Sequence, residues 1–531
     1  MKLLIKNGTI IDGTGNPGVQ TDIAVSGTRI SAIGSIPPEG FDRIMDARGK
    51  VVCPGFIDTH SHSDLQILLD PQVPPKIYQG ITTEILGQDG IAMAPLPVLF
   101  IESWRKNLAG LSGETDAIDW TYETTAGYLG LLENRGLAPN AGYLVPHGNV
   151  RMEAMGLGNT PATSRDLETM KTILNREMDA GALGLSTGLI YIPCAYADTR
   201  ELIELCRVVA HRDGVFVIHQ RSEADGIISS MEEVIRIGEE SGVKIHFSHM
   251  KVCGKDNWDK LPLIFKLLDE AADKGVRISF DQYPYVAGST MLGAILPPWA
   301  HEGGTERLLE RLSDPALREK MIRQITSDKA GWDNFVSFAG LSGIFITSTK
   351  TRKNQAVIGK NLVEIGEMTG KDPLEAALDL LLEEENAVGM VDFYGKEDHV
   401  VEFLCRPEQN VCTDGLLGGK PHPRVYGAFP RVISEYVRKR PVLTMEMAVH
   451  KMTGKPAKVF HLEDRGLLKK GHYADILIFD PDTICDRGTY EVPDQFPDGI
   501  CMVMVNGSIV LENGTLTQNL PGHVLRMNQQ A

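Results

Sequence analysis

Short apolar runs with alternating polar positions open the chain: Leu3-Leu-Ile5, Thr9-Ile-Ile11, Asp22-Ile-Ala-Val25 and Arg29-Ile-Ser-Ala-Ile33. Asn7-Gly8 and Gly13-Thr-Gly15 punctuate them, a pattern that predicts short strands and hairpins. The far end repeats the style in Ala474-Asp-Ile-Leu-Ile-Phe-Asp480, Met502-Val-Met-Val-Asn-Gly-Ser-Ile-Val510 and Glu512-Asn-Gly514. Two β-rich ends around a different middle predict one small β domain built from both termini.

The middle alternates on a longer period. Continuous apolar runs such as Val215-Phe-Val-Ile-His219, Lys244-Ile-His-Phe-Ser-His249 and Arg277-Ile-Ser-Phe-Asp281 read as strands buried on both faces. Amphipathic stretches separate them, including residues 230–240 and 260–273. Strand–helix alternation over about 400 residues predicts a parallel sheet, and this length favours a (β/α)8 barrel with insertions. A doubly wound sheet is the alternative, but no GxGxxG follows the first strand. Residues from about 290 to 345 lack clear strand alternation and read as an insertion over the barrel mouth.

Composition narrows the function. The chain has 531 residues, 42% of them hydrophobic, so a large core is affordable. The net charge of −17 and the lack of a long basic run argue against nucleic-acid binding, which rests on Lys and Arg contacts to phosphate. No apolar run approaches the ~20 residues of a membrane span, and the start does not read as a signal peptide. The eight cysteines are dispersed without CxxC pairs, as expected of reduced core thiols in a cytoplasmic enzyme.

Candidate chemistry gathers at the C-terminal ends of the predicted strands. His60 and His62 close Val51-Val-Cys-Pro-Gly-Phe-Ile-Asp-Thr-His-Ser-His62. Residues i and i+2 of a strand face one side, so both imidazoles can meet one ion. His219 and His249 each end a strand, and Asp414 follows Asn410-Val-Cys-Thr413. In a barrel all these ends converge on the active-site face. Four histidines and a carboxylate suit a divalent ion such as Zn²⁺, which would activate a water and polarise an amide carbonyl. Asp414 would carry the proton from the water to the leaving amine. Each part has a plainer reading: strand histidines are often ordinary core residues, and Asp414-Gly415 alone is a turn. The conjunction in barrel order carries the case. His246 is expected to be structural, pointing to a different side of its strand from His249.

These motifs resemble the amidohydrolase superfamily, and within it the N-acyl-D-amino-acid deacylase (D-aminoacylase) family. The resemblance runs along nearly the whole chain: Pro54-Gly-Phe-Ile-Asp-Thr-His-Ser-His-Ser-Asp64, Gly184-Leu-Ser-Thr-Gly-Leu-Ile-Tyr191, His219-Gln-Arg-Ser-Glu223, Ser248-His-Met-Lys251, Asp281-Gln-Tyr-Pro-Tyr285, His422-Pro-Arg424, Phe429-Pro-Arg431 and Gly471-His-Tyr-Ala-Asp475. It implies a β-sandwich from 1–55 and 464–531 around a barrel at 56–463. It implies a small-molecule N-acylated amino acid as partner, one or two zinc ions as cofactor, and leaves room for a homo-oligomer. His219 and His249 match the ligands of a tight zinc site, and His60 and His62 a second, weaker position. Asp414 matches the acid/base. Tyr191, Lys251 and Arg424 match residues that grip the substrate α-carboxylate, while Tyr283 and Ser289 match residues near the scissile carbonyl.

One departure stands out. The family usually carries a cysteine ligand after the second strand, in a Gly-Asn-Cys-Gly setting. This chain has Gly87-Gln-Asp-Gly90, with Asp89 in the cysteine's place. A carboxylate is a harder ligand than a thiolate, so metal number, identity or affinity is expected to differ. The plainer reading of Asp89 is a turn residue. The apolar stretch from Gly288 to Trp299 lacks the cation used on acidic substrates, so neutral or hydrophobic D-amino acids are expected. Met291, Leu292, Leu296 and Trp299 would line their pocket or merely pack the insertion. A hydantoinase-like cyclic amidase and an inactive binding protein are the competing readings. The former often uses a carboxylated lysine on the fourth strand, and residues 181–188 contain none.

Overall fold

The computed structural model describes residues 2–113, 115–327 and 331–527. Met1 and residues 528–531, assigned above to the terminal β unit, and residues 328–330 of the insertion lie outside the described residues.

Parallel strands pair in the order Phe56–Asp58, Ile81–Leu86, Asn140–Tyr143 with Val145–Pro146, Gly184–Gly188, Val215–His219, Lys244–Phe247, Ile278–Gln282 and Gln409–Val411. They are numbered here as barrel strands one to eight. The ring closes where Ser61 bridges Gly415 in parallel and the Asp414 N–H donates to the His60 carbonyl at 2.9 Å. The apolar runs are continuous because both faces are covered. In strand five Phe216 and Ile218 pack outward with Leu202, Ile227 and Val234 of the surrounding helices. Val215 and Val217 point inward, with Ile57, Ile85, Leu144 and Leu183. The period of two then puts His219 on the inward face, at the C-terminal end.

Strands from both ends of the chain share one nine-stranded sheet. Its core holds Leu3, Ile5, Ile23 and Val25 from the front and Ile476, Ile478, Met502 and Met504 from the back. The tail then leaves this sheet: Val524–Leu525 pairs in parallel with Ala141 and Gly142 of strand three.

The insertion is larger than its expected span. Ala287–Met291, Val388–Phe393 and Ile344–Thr349 form an antiparallel sheet with Val388–Phe393 in the centre. Helices Thr305–Leu312, Pro315–Ile325, Leu362–Thr369 and Pro373–Glu383 belong to this unit. It has its own core around Leu308, Met321, Ile344, Leu378 and Met390. The limit near 345 cuts through a strand because that strand's partner lies some forty residues further on, beyond any local pattern. All eight cysteines are free, and Cys405 is exposed while Cys485 and Cys501 are half-buried, so not all are core thiols. No helix among the described residues is long and apolar enough to cross a membrane.

Candidate metal centre

Six side chains from the C-terminal ends of strands one, two, five, six and eight meet at the barrel mouth. His60 Nε2 and His62 Nε2 lie 3.2 Å apart. Asp414 Oδ1 is 3.7 Å from the first and 3.4 Å from the second. His219 Nδ1 lies 3.0 Å from His249 Nε2. Asp89 stands between the two pairs: Oδ1 is 3.6 Å from His60 Nε2 and 3.8 Å from His249 Nε2, and Oδ2 is 3.5 Å from His62 Nε2. The turn reading of Asp89 therefore misses what its side chain does, because the carboxylate is aimed into the cluster.

Backbone geometry holds these groups in unusual positions. Asp89, His249 and Asp414 have φ of 57°, 35° and 47°, in the left-handed region that non-glycine residues avoid. Each strained peptide is pinned. The His249 N–H donates to Asp281 Oδ1 at 2.5 Å, and Asp281 accepts from Thr59 Oγ1 as well. The Asp89 turn is fixed through Gly90, whose N–H donates to Ser186 Oγ at 3.1 Å and whose carbonyl accepts from the Gly148 N–H at 2.7 Å. Gly90 has φ +69°, and an added Cβ would sit 2.7 Å from Cys194 Sγ, so this turn requires glycine.

The donor set fits a divalent ion. Asp89 Oδ1 is buried without a hydrogen-bond donor. Crowding imidazole and carboxylate lone pairs within 4 Å out of water is costly unless a cation is shared. Three groupings drawn from these residues and Glu223 each bring three ligand atoms within 4.8 Å of one another: His60, His62, Asp414; His60, Asp89, His249; and His219, Glu223, His249. Nitrogen and oxygen donors without thiolate suit zinc and somewhat harder ions. Burial pulls His62 down, but hydrogen bonds to Asp414 and Asp89 outweigh it and carry the imidazole up to about 9. Burial takes His219 down to about 4. Burial would raise Asp414, yet the Arg424 guanidinium and the histidines hold it well below the usual carboxylate range.

The remaining predicted residues surround this cluster. Lys251 Nζ donates to Glu223 Oε1 at 2.8 Å and to the His249 carbonyl at 2.9 Å. Arg424 is fully buried, with Nη1 3.0 Å from Asp414 Oδ2, Nη2 donating to the Ser289 carbonyl, and its guanidinium over the Tyr283 ring. Tyr283 shares a 2.7 Å hydroxyl contact with Tyr394. Tyr191 packs edge-on against His219, its hydroxyl 2.8 Å from Thr290 Oγ1. The Ser289 hydroxyl donates to the Met390 carbonyl and is occupied within the sheet.

Of the two readings of the apolar stretch, packing holds and pocket lining fails. Leu292 and Leu296 belong to the insertion's own core. Trp299 donates to Gln324 and lies under Lys320, and Met291 packs in the main core. None of the four lines the cavity beside the histidines, whose apolar walls are Leu111, Phe335 and Phe338. His246 does point into the barrel, but it is structural: Ser279 and Asp281 engage both of its nitrogens. Glu223 is a participant that sequence reasoning does not assign. Glu223 Oε1 lies 3.1 Å from His249 Nδ1 and its other oxygen 3.8 Å from His219 Nε2. The available signal was an acid four residues after a strand-ending histidine.

The chain matches the model of the amidohydrolase family over residues 43–348 and 413–511. It is 34% identical to a D-aminoacylase from Alcaligenes xylosoxydans xylosoxydans, over 98% of this chain and 97% of that one. It is also 34% identical to an N-acyl-D-glutamate deacylase from the same organism, over 99% and 96%. The crystal structure of N-acyl-D-glutamate deacylase from Bordetella bronchiseptica, complexed with zinc and a phosphonate mimic of the reaction's tetrahedral intermediate, superimposes with a TM-score of 0.84 at 33% identity, covering 99% of each chain. By sequence along nearly its whole length, and by the barrel that carries its histidines, this chain belongs to the amidohydrolase family.

Proposed function

We propose that this chain is a metal-dependent hydrolase that cleaves the amide bond of N-acyl-D-amino acids, yielding a carboxylate and a free D-amino acid. The observation that carries the reading is the contact between Asp414 and Arg424 beside the histidine cluster. It sets an acid/base carboxylate next to a guanidinium that can receive a substrate α-carboxylate. Similarity to the D-aminoacylase and the two D-glutamate deacylases supports it.

His219, His249 and Asp89 would hold one zinc ion, and His60 and His62 would hold a second with Asp89. A bound ion supplies Lewis acidity and brings a water's pKa to about 7. Asp414 Oδ1 faces the His60/His62 pair, so it is placed to take the proton of the attacking water. The same carboxyl then gives that proton to the leaving amine nitrogen. Arg424 keeps Asp414 ionised and ready to accept. Lys251, Arg424 and Tyr191 grip the α-carboxylate, Lys251 as a point charge and Arg424 as a fork. Tyr283 and Ser289 border the scissile amide. We read the sheet shared by residues 2–55 and 464–516 as a unit serving a catalytic body at 56–463. Eight free cysteines support a cytoplasmic setting.

Asp414→Asn tests the reading. Its kcat on an N-acetyl-D-amino acid should fall ~10²–10⁴-fold with metal content unchanged. His219→Ala should lose metal and activity together. Near wild-type turnover in Asp414→Asn overturns the assignment.

A further inference from the structure

Asp392 belongs to the central insertion strand and is 2% exposed. It lines the same cavity as His62, Asp89 and Lys251. Among the described residues no other side chain or peptide group donates to its carboxylate or pairs with it. Its partner across the sheet is Gly288, one residue before Ser289. A Cβ on Gly288 would lie 3.1 Å from Asp392 Oδ1 and 3.6 Å from the Tyr283 hydroxyl. Glycine there keeps the face of the carboxylate open towards Tyr283.

The two cations nearby do not neutralise it. Lys251 is paired with Glu223 at 2.8 Å, and Arg424 with Asp414 at 3.0 Å. Burial pushes the Asp392 carboxyl up to about 7, against the pull of Lys251 and Arg424. Asp333, the other acid on this wall, is already satisfied by Ser222 Oγ and the Glu223 N–H. Asp392 is thus the one acid on this side of the cavity whose carboxylate, among the described residues, has no partner beyond its own peptide N–H. A buried carboxylate without a counter-charge is expensive, and a ligand cation would relieve it. Phe335 and Phe338 line the same space and supply what a long cationic side chain needs, an apolar wall for its stem and aromatic faces near its charge.

We propose that Asp392 makes the pocket selective for N-acyl-D-amino acids whose side chain ends in an ammonium or guanidinium group. This rests on the deacylase reading and names the substrate class of that site. It replaces the expectation of neutral side chains, since an apolar side chain would leave Asp392 buried and unpaired. An acidic one would add a second negative charge.

Binding and turnover are read separately. The metal-loaded Asp414→Asn protein is titrated calorimetrically with N-acetyl-D-lysine, N-acetyl-D-arginine, N-acetyl-D-leucine and N-acetyl-D-glutamate. The cationic ligands should bind ~10-fold or more tightly than the leucine derivative, as one well-formed charge pair allows. Asp392→Asn in the same background should abolish that ratio, and Asp392→Glu should keep its direction. Equal affinities, or a ratio unchanged in Asp392→Asn, overturn the proposal. If Asp392→Asn does not fold, Asp392→Glu and the ligand series on the parent protein still decide it. Turnover of the wild-type chain is measured on the same four compounds. Tight cationic binding without hydrolysis of any of them defeats the deacylase reading and leaves the cation site standing. Hydrolysis that favours leucine or glutamate does the reverse.

Discussion

Asp89 concentrates the chemistry of the centre at the residue scale. A carboxylate has two donor atoms, and here they face different partners, Oδ1 towards His60 and His249 and Oδ2 towards His62. Its removal should therefore affect both halves of the site. Asp89→Ala is expected to lower the zinc retained per chain after dialysis below the level of His62→Ala, which takes a donor from one half only. Full metal content in Asp89→Ala would refute that role. Arg424 offers a second prediction. Without its guanidinium the Asp414 carboxyl rises, so the acid limb of the kcat/KM profile should move to higher pH in Arg424→Met. KM should rise for substrates with a free α-carboxylate more than for the matching primary amides. An unmoved acid limb would separate Arg424 from Asp414. The histidines and Asp414 were legible in the sequence because they stand at or just past the ends of apolar strands; the strand period fixes the direction of His219, whereas His249 and Asp414 enter the centre through left-handed backbone beyond their strands. Arg424 gained its role from the family resemblance, since nothing local says that an arginine will be fully buried. Glu223 went unassigned because its partners, His249 and Lys251, come from the next strand.

Strands one and eight are joined by a buried ionic knot at the element scale. Lys76 Nζ donates to Asp58 Oδ2 at 2.6 Å, to Thr413 Oγ1 at 2.7 Å and to Ser61 Oγ at 2.8 Å, with Glu84 3.4 Å away. Asp58 also accepts from the Thr413 N–H. The knot seals the barrel just beneath His60 and Asp414. Removing the only cation named in it leaves two carboxylates facing each other out of water. Lys76→Met should cost ~3–5 kcal/mol, read by urea unfolding. Adding Asp58→Asn should return part of that loss, because it removes one uncompensated charge. A double variant no more stable than Lys76→Met would mean that the knot acts through packing. Elements of this kind were only half legible. The barrel strands announced themselves as apolar runs. The insertion sheet did not, since Ala287–Met291 and Val388–Phe393 pair across about a hundred residues of intervening chain.

The two ends of the chain, the barrel and the tail meet at one side chain, Asn140 at the start of strand three. Its Nδ2 donates to the Thr82 carbonyl at 3.0 Å and to Asp475 Oδ2 at 3.3 Å. Its Oδ1 accepts from Asn506 Nδ2 at 2.8 Å and from the His523 N–H at 3.0 Å. These bonds link the barrel, the terminal sheet and the tail whose Val524–Leu525 adds a strand beside Ala141 and Gly142. The apolar alternation at both termini revealed the terminal sheet. It could not reveal this junction, because an isolated asparagine before Ala-Gly reads as a loop residue and its partners lie hundreds of positions away. Asn140→Ala should take one donor from Asp475 Oδ2 and one acceptor from Asn506 Nδ2, while Arg465 still bonds the first and the Pro521 carbonyl the second, so the loss is expected at ~1–3 kcal/mol in all. The loss should be local before it is global. Amide exchange at Ala141, Gly142, Val524 and Leu525 is expected to accelerate, while strand five keeps its protection and the histidine cluster keeps its metal. Uniform acceleration across the barrel would show instead that Asn140 belongs to the folding core and not to a joint between separately stable parts.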